Sequence, residues 1–168
     1  TGHAVRMCAG VVDPNEDVMV IYGDHPLVAP STIGNLADEH DLGGAVITLV
    51  TYTVPSFDVY GQAFTSFGRI LRNANGEVVG IREYKDASEE EKQIKEINPA
   101  FYAFSGPWLW ETISKIEPKN AQKEYYLTDL LTMAIAEGKP VVALPGEDLQ
   151  EAIGVNTPEQ LRLAESMI

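Results

Sequence analysis

The stretch Asp17 to Val54, DVMVIYGDHPLVAPSTIGNLADEHDLGGAVITLVTYTV, decides the fold class. Its first six residues, Asp17 to Tyr22, form a short and almost continuous apolar run, the pattern of a strand covered on both faces. A Gly23-Asp24-His25-Pro26 turn follows, and Ser31 to His40 then shows helical spacing behind a Ser or Thr that can cap a first turn. Gly44 to Val54 is rich in β-branched residues, which pack well on a pleated surface, and reads as the next strand. Strand, helix, strand in this order predicts an α/β protein with a largely parallel sheet and helices on both faces.

Working outward, His3 to Val12 mixes small and apolar residues at helical spacing and stops at Asp13-Pro14, which predicts a helix before the first strand. On the other side, Pro55 to Ser66 is longer than a usual connection and carries Phe57, Tyr60 and Phe64, so it is a surface excursion packed on its own aromatics or a lid. Asn75-Gly76 between Arg69–Asn73 and Glu77–Arg82 predicts an antiparallel hairpin, because both turn residues tolerate positive φ. Ser88 with Glu91 makes a capping-box pattern that should open a solvated helix, SEEEKQIKE. Asn98 to Ser105 reads as a strand, and Pro107 opens a helix whose Trp108 and Trp110 read as core. Thr128 to Glu137 is an amphipathic helix stopped by Gly138, Pro140 to Pro145 a strand, and Thr157, Pro158 and Gln160 cap a last helix. Without internal repeats or linkers, residues 1–168 are read as one domain.

Composition narrows the partners. Twelve Lys and Arg against 25 Asp and Glu give a net charge of −13, which repels nucleic acid and leaves no DNA or RNA partner expected. The same field repels phosphorylated small molecules, so any phosphate chemistry here calls for a divalent cation. No apolar run approaches the ~20 residues of a membrane span, and no membrane partner is expected. The one cysteine, Cys8, can form neither an internal disulfide nor a cysteine metal cluster, which with the lack of a targeting signal points to the cytoplasm.

In open α/β sheets ligands bind beyond the carboxyl ends of strands, so polar residues just after buried runs are the first candidates. Asp24 follows DVMVIY through Gly23 and offers hard oxygen donors suited to Mg²⁺, or simply serves as a turn residue. Glu83, Asn98 and Asn156 stand at other strand ends; they can bind ribose or sugar hydroxyls, and an Asn carbonyl can complete a magnesium shell. The two asparagines can equally satisfy local backbone groups. His25 beside Asp24 is either a participant or a solvated turn histidine. No HExxH, nucleophile elbow or Walker loop is present.

Seven short motifs occur in a fixed order: TGHA (1–4), YGDHPL (22–27), FGRI (67–70), EYKDA (83–87), EIN (96–98), EYYLTD (124–129) and GVN (154–156). Together they resemble the uridylyltransferase domain of bacterial N-acetylglucosamine-1-phosphate uridylyltransferases, within the sugar nucleotidyltransferase superfamily, over nearly the whole chain. The resemblance implies a Rossmann-like, GT-A-like nucleotidyltransferase fold with a mixed, mostly parallel sheet, truncated at its N-terminus. It implies Mg²⁺ held by Asp24 and Asn156, through which these two residues act in catalysis. It places Thr1 at the end of a uracil-contacting segment, Tyr22 and Gly23 near nucleotide and sugar, and Gly68, Glu83 and Asn98 around N-acetylglucosamine. EYYLTD resembles the family's sugar-side loop, part of which a helix capped by Thr128 would also explain. UTP and a sugar 1-phosphate, or UDP-N-acetylglucosamine, are the partners implied.

The family opens with a strand and a Gly-rich loop that hold the triphosphate, and this sequence begins after them. The resemblance therefore implies that these 168 residues alone do not turn over and that a separate N-terminal segment supplies the cradle. The acetyltransferase β-helix that often follows the domain is absent as well. Glu96 to Ala100 reads EINPA where the family has EINTG, Lys123 stands where it has glycine, and the loop before FGRI is enlarged. A nucleotidyltransferase for another sugar nucleotide and a non-catalytic sugar-nucleotide-binding module are the competing readings.

Overall fold

The computed structural model describes residues 1–58 and 61–167. Its sheet is built around β2 (Ile47–Thr53), whose residues from Ile47 to Tyr52 are all buried. Alternation along β2 sends Ile47 and Leu49 into one apolar cluster and Val50 and Tyr52 into another, as the two-residue period of a strand requires. Helices α3 (Gly106–Thr112) and α4 (Asp129–Ala136) pack on the first cluster through Leu109 and Leu130. On the second, α2 (Pro30–Gly43) and α5 (Pro158–Glu165) pack through Leu36 and Ala164. The α/β class with helices on both faces is therefore present.

Strand directions differ from the expected pattern. β1 (Val18–Val20) pairs antiparallel with β6 (Tyr102–Phe104), which pairs antiparallel with β2, so β1 and β2 run the same way with β6 between them. β5 (Glu96–Asn98), β3 (Gly68–Arg72) and β4 (Val78–Arg82) continue antiparallel from the end of β2. Among the described strands of the sheet only β7 (Val141–Pro145) pairs in parallel, along β2 from Ile47↔Val141 to Thr51↔Pro145. A helical crossover fixes the direction of the two strands it joins but not what lies between them, and here the returning chain fills that slot.

Local departures have local causes. α1 (Gly2–Arg6) ends early, leaving Val11 exposed, and β1 is half-buried rather than covered on both faces. Ser88 and Glu91 exchange both capping-box hydrogen bonds, yet only a 3₁₀ turn, Glu91–Gln93, follows because Ile97 is drawn into the core on β5. The strand expected over Asn98 to Ser105 breaks at Pro99, which has no N–H for a ladder, and Ala100 turns through φ 70°. The hairpin forms as expected, with Gly76 at φ 83°. Phe64 and Phe57 bear out the aromatic packing of the long connection, while Tyr60 lies outside the described residues. Trp108 is buried and Trp110 packs beside it in the α3–α4 core.

Candidate functional site

A cleft of about 260 Å³ opens beyond the carboxyl end of β1. Thr1, Tyr22, Asp24, Gly68, Glu83, Asn98 and Asn156 line it; Gly23 lies outside it, exposed in the turn. These residues come from both ends of the chain and from three strand ends between, so the cleft is a product of the whole sheet.

Asp24 and Asn156, 132 positions apart, meet directly: the Asn156 amide Nδ2 donates to Asp24 Oδ2 at 3.2 Å. Their backbones are stitched by Val155 N–H donating to the Asp24 carbonyl at 2.8 Å. The cap of α5 also holds Asn156. Thr157 Oγ1 accepts from Gln160 N, and Gln160 Oε1 accepts from Asn156 N at 2.7 Å, so the helix start fixes the residue that faces Asp24. One carboxylate and one carboxamide are hard oxygen donors of the kind Mg²⁺ takes, and rotating the amide brings its oxygen toward the carboxylate in place of its nitrogen. The donor set fits a divalent cation.

Glu83 stands at the end of β4, where its Oε1 accepts from the Thr128 hydroxyl at 2.9 Å. Thr128 therefore does not cap α4 with its side chain, contrary to the simpler reading; its hydroxyl serves the cleft instead. Burial pushes the Glu83 carboxyl up; the Thr128 hydrogen bond opposes this, and Asp86 and Asp129 add to it. The Tyr22 hydroxyl is pushed up to about 12 by burial, against the Thr1 side chain and with help from Glu83 and Asp24, so it is a hydrogen-bond donor at neutral pH. Asn98 lines the cleft with both ends of its amide engaged internally: Oδ1 accepts from Ala100 N at 3.1 Å and Nδ2 meets the Tyr102 hydroxyl at 2.6 Å. Its observed role is to hold the Pro99-Ala100 turn.

Ser66, from the long connection, and Gln122 line the cleft without having been singled out in the sequence; Phe67 comes from FGRI, and Glu124 and Tyr126 from EYYLTD in the segment before α4. That segment is tied down by Lys85, which donates to Gln122 Oε1, and by Asp86, which accepts from Ala121 N at 2.9 Å and from the Tyr126 hydroxyl at 3.1 Å. Within it Lys123 adopts φ 55°. His25, weighed as a solvated turn residue, is 5% exposed and packs edge-on to Phe101 at 5.1 Å. Burial lowers its pKa, with Asp24 and the Glu151 backbone pulling the other way.

The cleft at the carboxyl end of this sheet belongs to a sugar nucleotidyltransferase fold. A putative glucose-1-phosphate thymidylyltransferase from Bacillus anthracis superposes with a TM-score of 0.71 at 16% identity, covering 99% of this chain and 60% of that one. A UDP-glucose pyrophosphorylase complexed with UDP-glucose superposes with a TM-score of 0.68, also at 16% identity, over 99% of this chain and 62% of that one. Within that class the chain is a homologue of part of the bacterial bifunctional GlmU proteins. It is 41% identical over 167 residues to the one from Caldicellulosiruptor saccharolyticus and 42% identical over 167 residues to that from Fervidobacterium nodosum. These alignments cover 98% and 99% of this chain and 34% of each relative. No family model matches the chain. The resemblance drawn from the seven ordered motifs thus extends over the whole chain. Among the described residues no helix is long and apolar enough to cross a membrane.

Proposed function

We propose that the chain is the sugar- and metal-binding part of an enzyme that forms UDP-N-acetylglucosamine and pyrophosphate from UTP and N-acetylglucosamine 1-phosphate. The observation that carries this reading is the pairing of Asp24 with Asn156 at the edge of a cleft that also presents Glu83. Asp24 and Asn156 would hold Mg²⁺, which when bound supplies charge neutralisation for phosphates in a chain of net charge −13. Glu83 accepts from sugar hydroxyls, the Tyr22 hydroxyl donates toward the nucleotide sugar, and Thr1 lies toward the uracil. Gly68 keeps the wall open beside Glu83, since a Cβ there would come within 2.9 Å of Ile81 Cγ2. A phosphate oxygen of the sugar 1-phosphate, already ionised at neutral pH, attacks the α-phosphorus as the bond to pyrophosphate breaks. No proton has to move, so positioning and charge do the catalytic work. The residues that grip the triphosphate come, in this proposal, from a segment outside these 168 residues.

Calorimetric titration of UDP-N-acetylglucosamine with and without Mg²⁺, on the chain and its Asp24→Ala variant, tests the reading. Magnesium-dependent binding that the variant loses is expected. Binding indifferent to both, or a preference for dTDP-, GDP- or CDP-sugars in the same assay, would overturn it. The second outcome is worth the panel because Pro99-Ala100 replaces Thr-Gly in the cleft wall.

A further inference from the structure

We infer that Tyr102 is a positioning residue for the sugar side of the cleft: its buried hydroxyl holds the Asn98 amide nitrogen inward, so that Asn98 presents a pre-set hydrogen-bond donor to a ligand. The inference rests on the reading of the cleft as a sugar-nucleotide site. Asn98 is 5% exposed and lines the cleft, and Tyr102, 2% exposed, stands behind it. The Ala100 N–H can only donate, so the amide atom facing it at 3.1 Å is Oδ1, and the atom facing the Tyr102 hydroxyl at 2.6 Å is Nδ2. Ala100 reaches that position at φ 70°, after Pro99 has ended the strand. Tyr102 is a fixed anchor. On β6 it is in register with Val20 of β1 and Leu49 of β2, and its ring lies 5.4 Å from that of Phe104. Burial pushes its ionisation well up, with Tyr22 and Glu83 adding to this and the Asn98 hydrogen bond opposing it, so the hydroxyl is neutral and its oxygen accepts from Asn98.

The polarity set in this way extends to the neighbouring strand ends. With Oδ1 held by Ala100 and one Nδ2 hydrogen held by Tyr102, the second Nδ2 hydrogen remains for a ligand. Asn98 stands opposite Gly68 on β3, and a Cβ on Gly68 would lie 3.6 Å from Glu83 Oε2, so the glycine marks the gap between the two side chains. Glu83 Oε1 is taken by Thr128, while Oε2 has no partner among the described residues. The gap is thus flanked by a donor on one side and an acceptor on the other, which neighbouring hydroxyls of a sugar ring satisfy together. Without the Tyr102 oxygen, Nδ2 loses its acceptor and the ligand has to order the Asn98 side chain itself.

Nuclear magnetic resonance of the isotope-labelled chain reads solvent exchange of the Asn98 side-chain amide, assigned by its loss in Asn98→Asp, and calorimetry reads binding of UDP-N-acetylglucosamine and of UDP. Both are repeated on Tyr102→Phe, which removes one oxygen and keeps the ring, with circular dichroism to check folding. Expected are one protected Asn98 amide proton whose exchange quickens about fivefold or more in Tyr102→Phe, UDP-N-acetylglucosamine binding about three- to tenfold weaker, and UDP binding unchanged. A merely structural role would weaken both ligands alike, and that result overturns the inference, as does an Asn98 exchange rate indifferent to the variant. Should Tyr102→Phe not fold, the unaltered chain decides: Asn98 amide protons exchanging as fast as those of a solvated asparagine overturn the inference. Binding of UDP-N-acetylglucosamine to the unaltered chain with Asn98 unprotected would refute the hold by Tyr102 and leave the proposed function standing. A protected proton that the variant releases, with no sugar-nucleotide binding by the unaltered chain, would do the reverse.

Discussion

Arg69 offers the sharpest test of how the cleft wall is held. It is 0% exposed, and no carboxylate among the described residues pairs with it. Its guanidinium instead donates to three backbone carbonyls, those of Lys92 at 3.3 Å, Thr65 at 3.0 Å and Phe67, and lies 4.5 Å from the Phe57 ring and 5.3 Å from that of Tyr84. Arg69→Met keeps the length of the stem and removes every donor. Three carbonyls losing a charged donor cost about 1 kcal/mol or more each, and the two cation–π contacts add about 0.5–1 kcal/mol apiece. Removing a buried cation returns part of its desolvation penalty, and methionine sulfur recovers some aromatic contact. The net expectation is a loss of about 2–4 kcal/mol, roughly 5–15 °C in Tm for a chain of this size. Scanning calorimetry measures it, and Arg69→Lys, which cannot fork to three carbonyls, should fall between. Because Phe67 and Gly68 form the cleft wall, UDP-N-acetylglucosamine affinity measured well below the variant's Tm should fall as well. A Tm within about 2 °C of the unaltered chain would refute the view that this guanidinium pins the long connection to the sheet.

Glu83→Gln tests the electrostatics of the cleft. A carboxyl whose folded pKa lies above its unfolded one stabilises least once ionised, so the unaltered chain loses stability as pH rises from the ordinary carboxylate range through the raised value. The variant should therefore melt higher near pH 8, with the advantage shrinking toward about pH 4; a shift independent of pH contradicts the assignment. Gly106→Ala should cost about 3 kcal/mol or more, since its Cβ would sit 2.0 Å from the Glu16 carbonyl oxygen, a backbone atom that cannot step aside. Denaturant unfolding reads that loss directly, and a midpoint unchanged from the parent would mean the two segments do not pack as described.

Much of the fold was legible because the signals were local. The β-branched run became β2, Asn75-Gly76 made its hairpin, and Thr157 with Gln160 capped α5. Misreadings arose where distant contacts won. SEEEKQIKE carries helical residues and a complete capping box, but burial of Ile97 and the pairing of Arg72 with Glu96 at 2.7 and 2.6 Å pull its end into a strand. Asn98, expected around the sugar, lines the cleft with its amide engaged by Ala100 and Tyr102, a contact that depends on the Pro99 kink. The meeting of Asp24 and Asn156 came from motif order; no spacing rule brings together residues 132 positions apart. Burial of His25 was invisible because its cover, Phe67 and Phe101, arrives from two other segments.

Asn156 hangs on the first turn of the last described helix, whose eight residues are too few to persist once undocked. Its attachment to Asp24 can therefore open while the central strands stay paired, in the manner of a subglobal unfolding unit with its own smaller free energy. On warming, the cleft is expected to lose one wall before the molecule melts, so functional lifetime and thermal midpoint would diverge. Amide exchange at Val155 and Asn156, compared with Leu49 and Val50, would measure the gap between them.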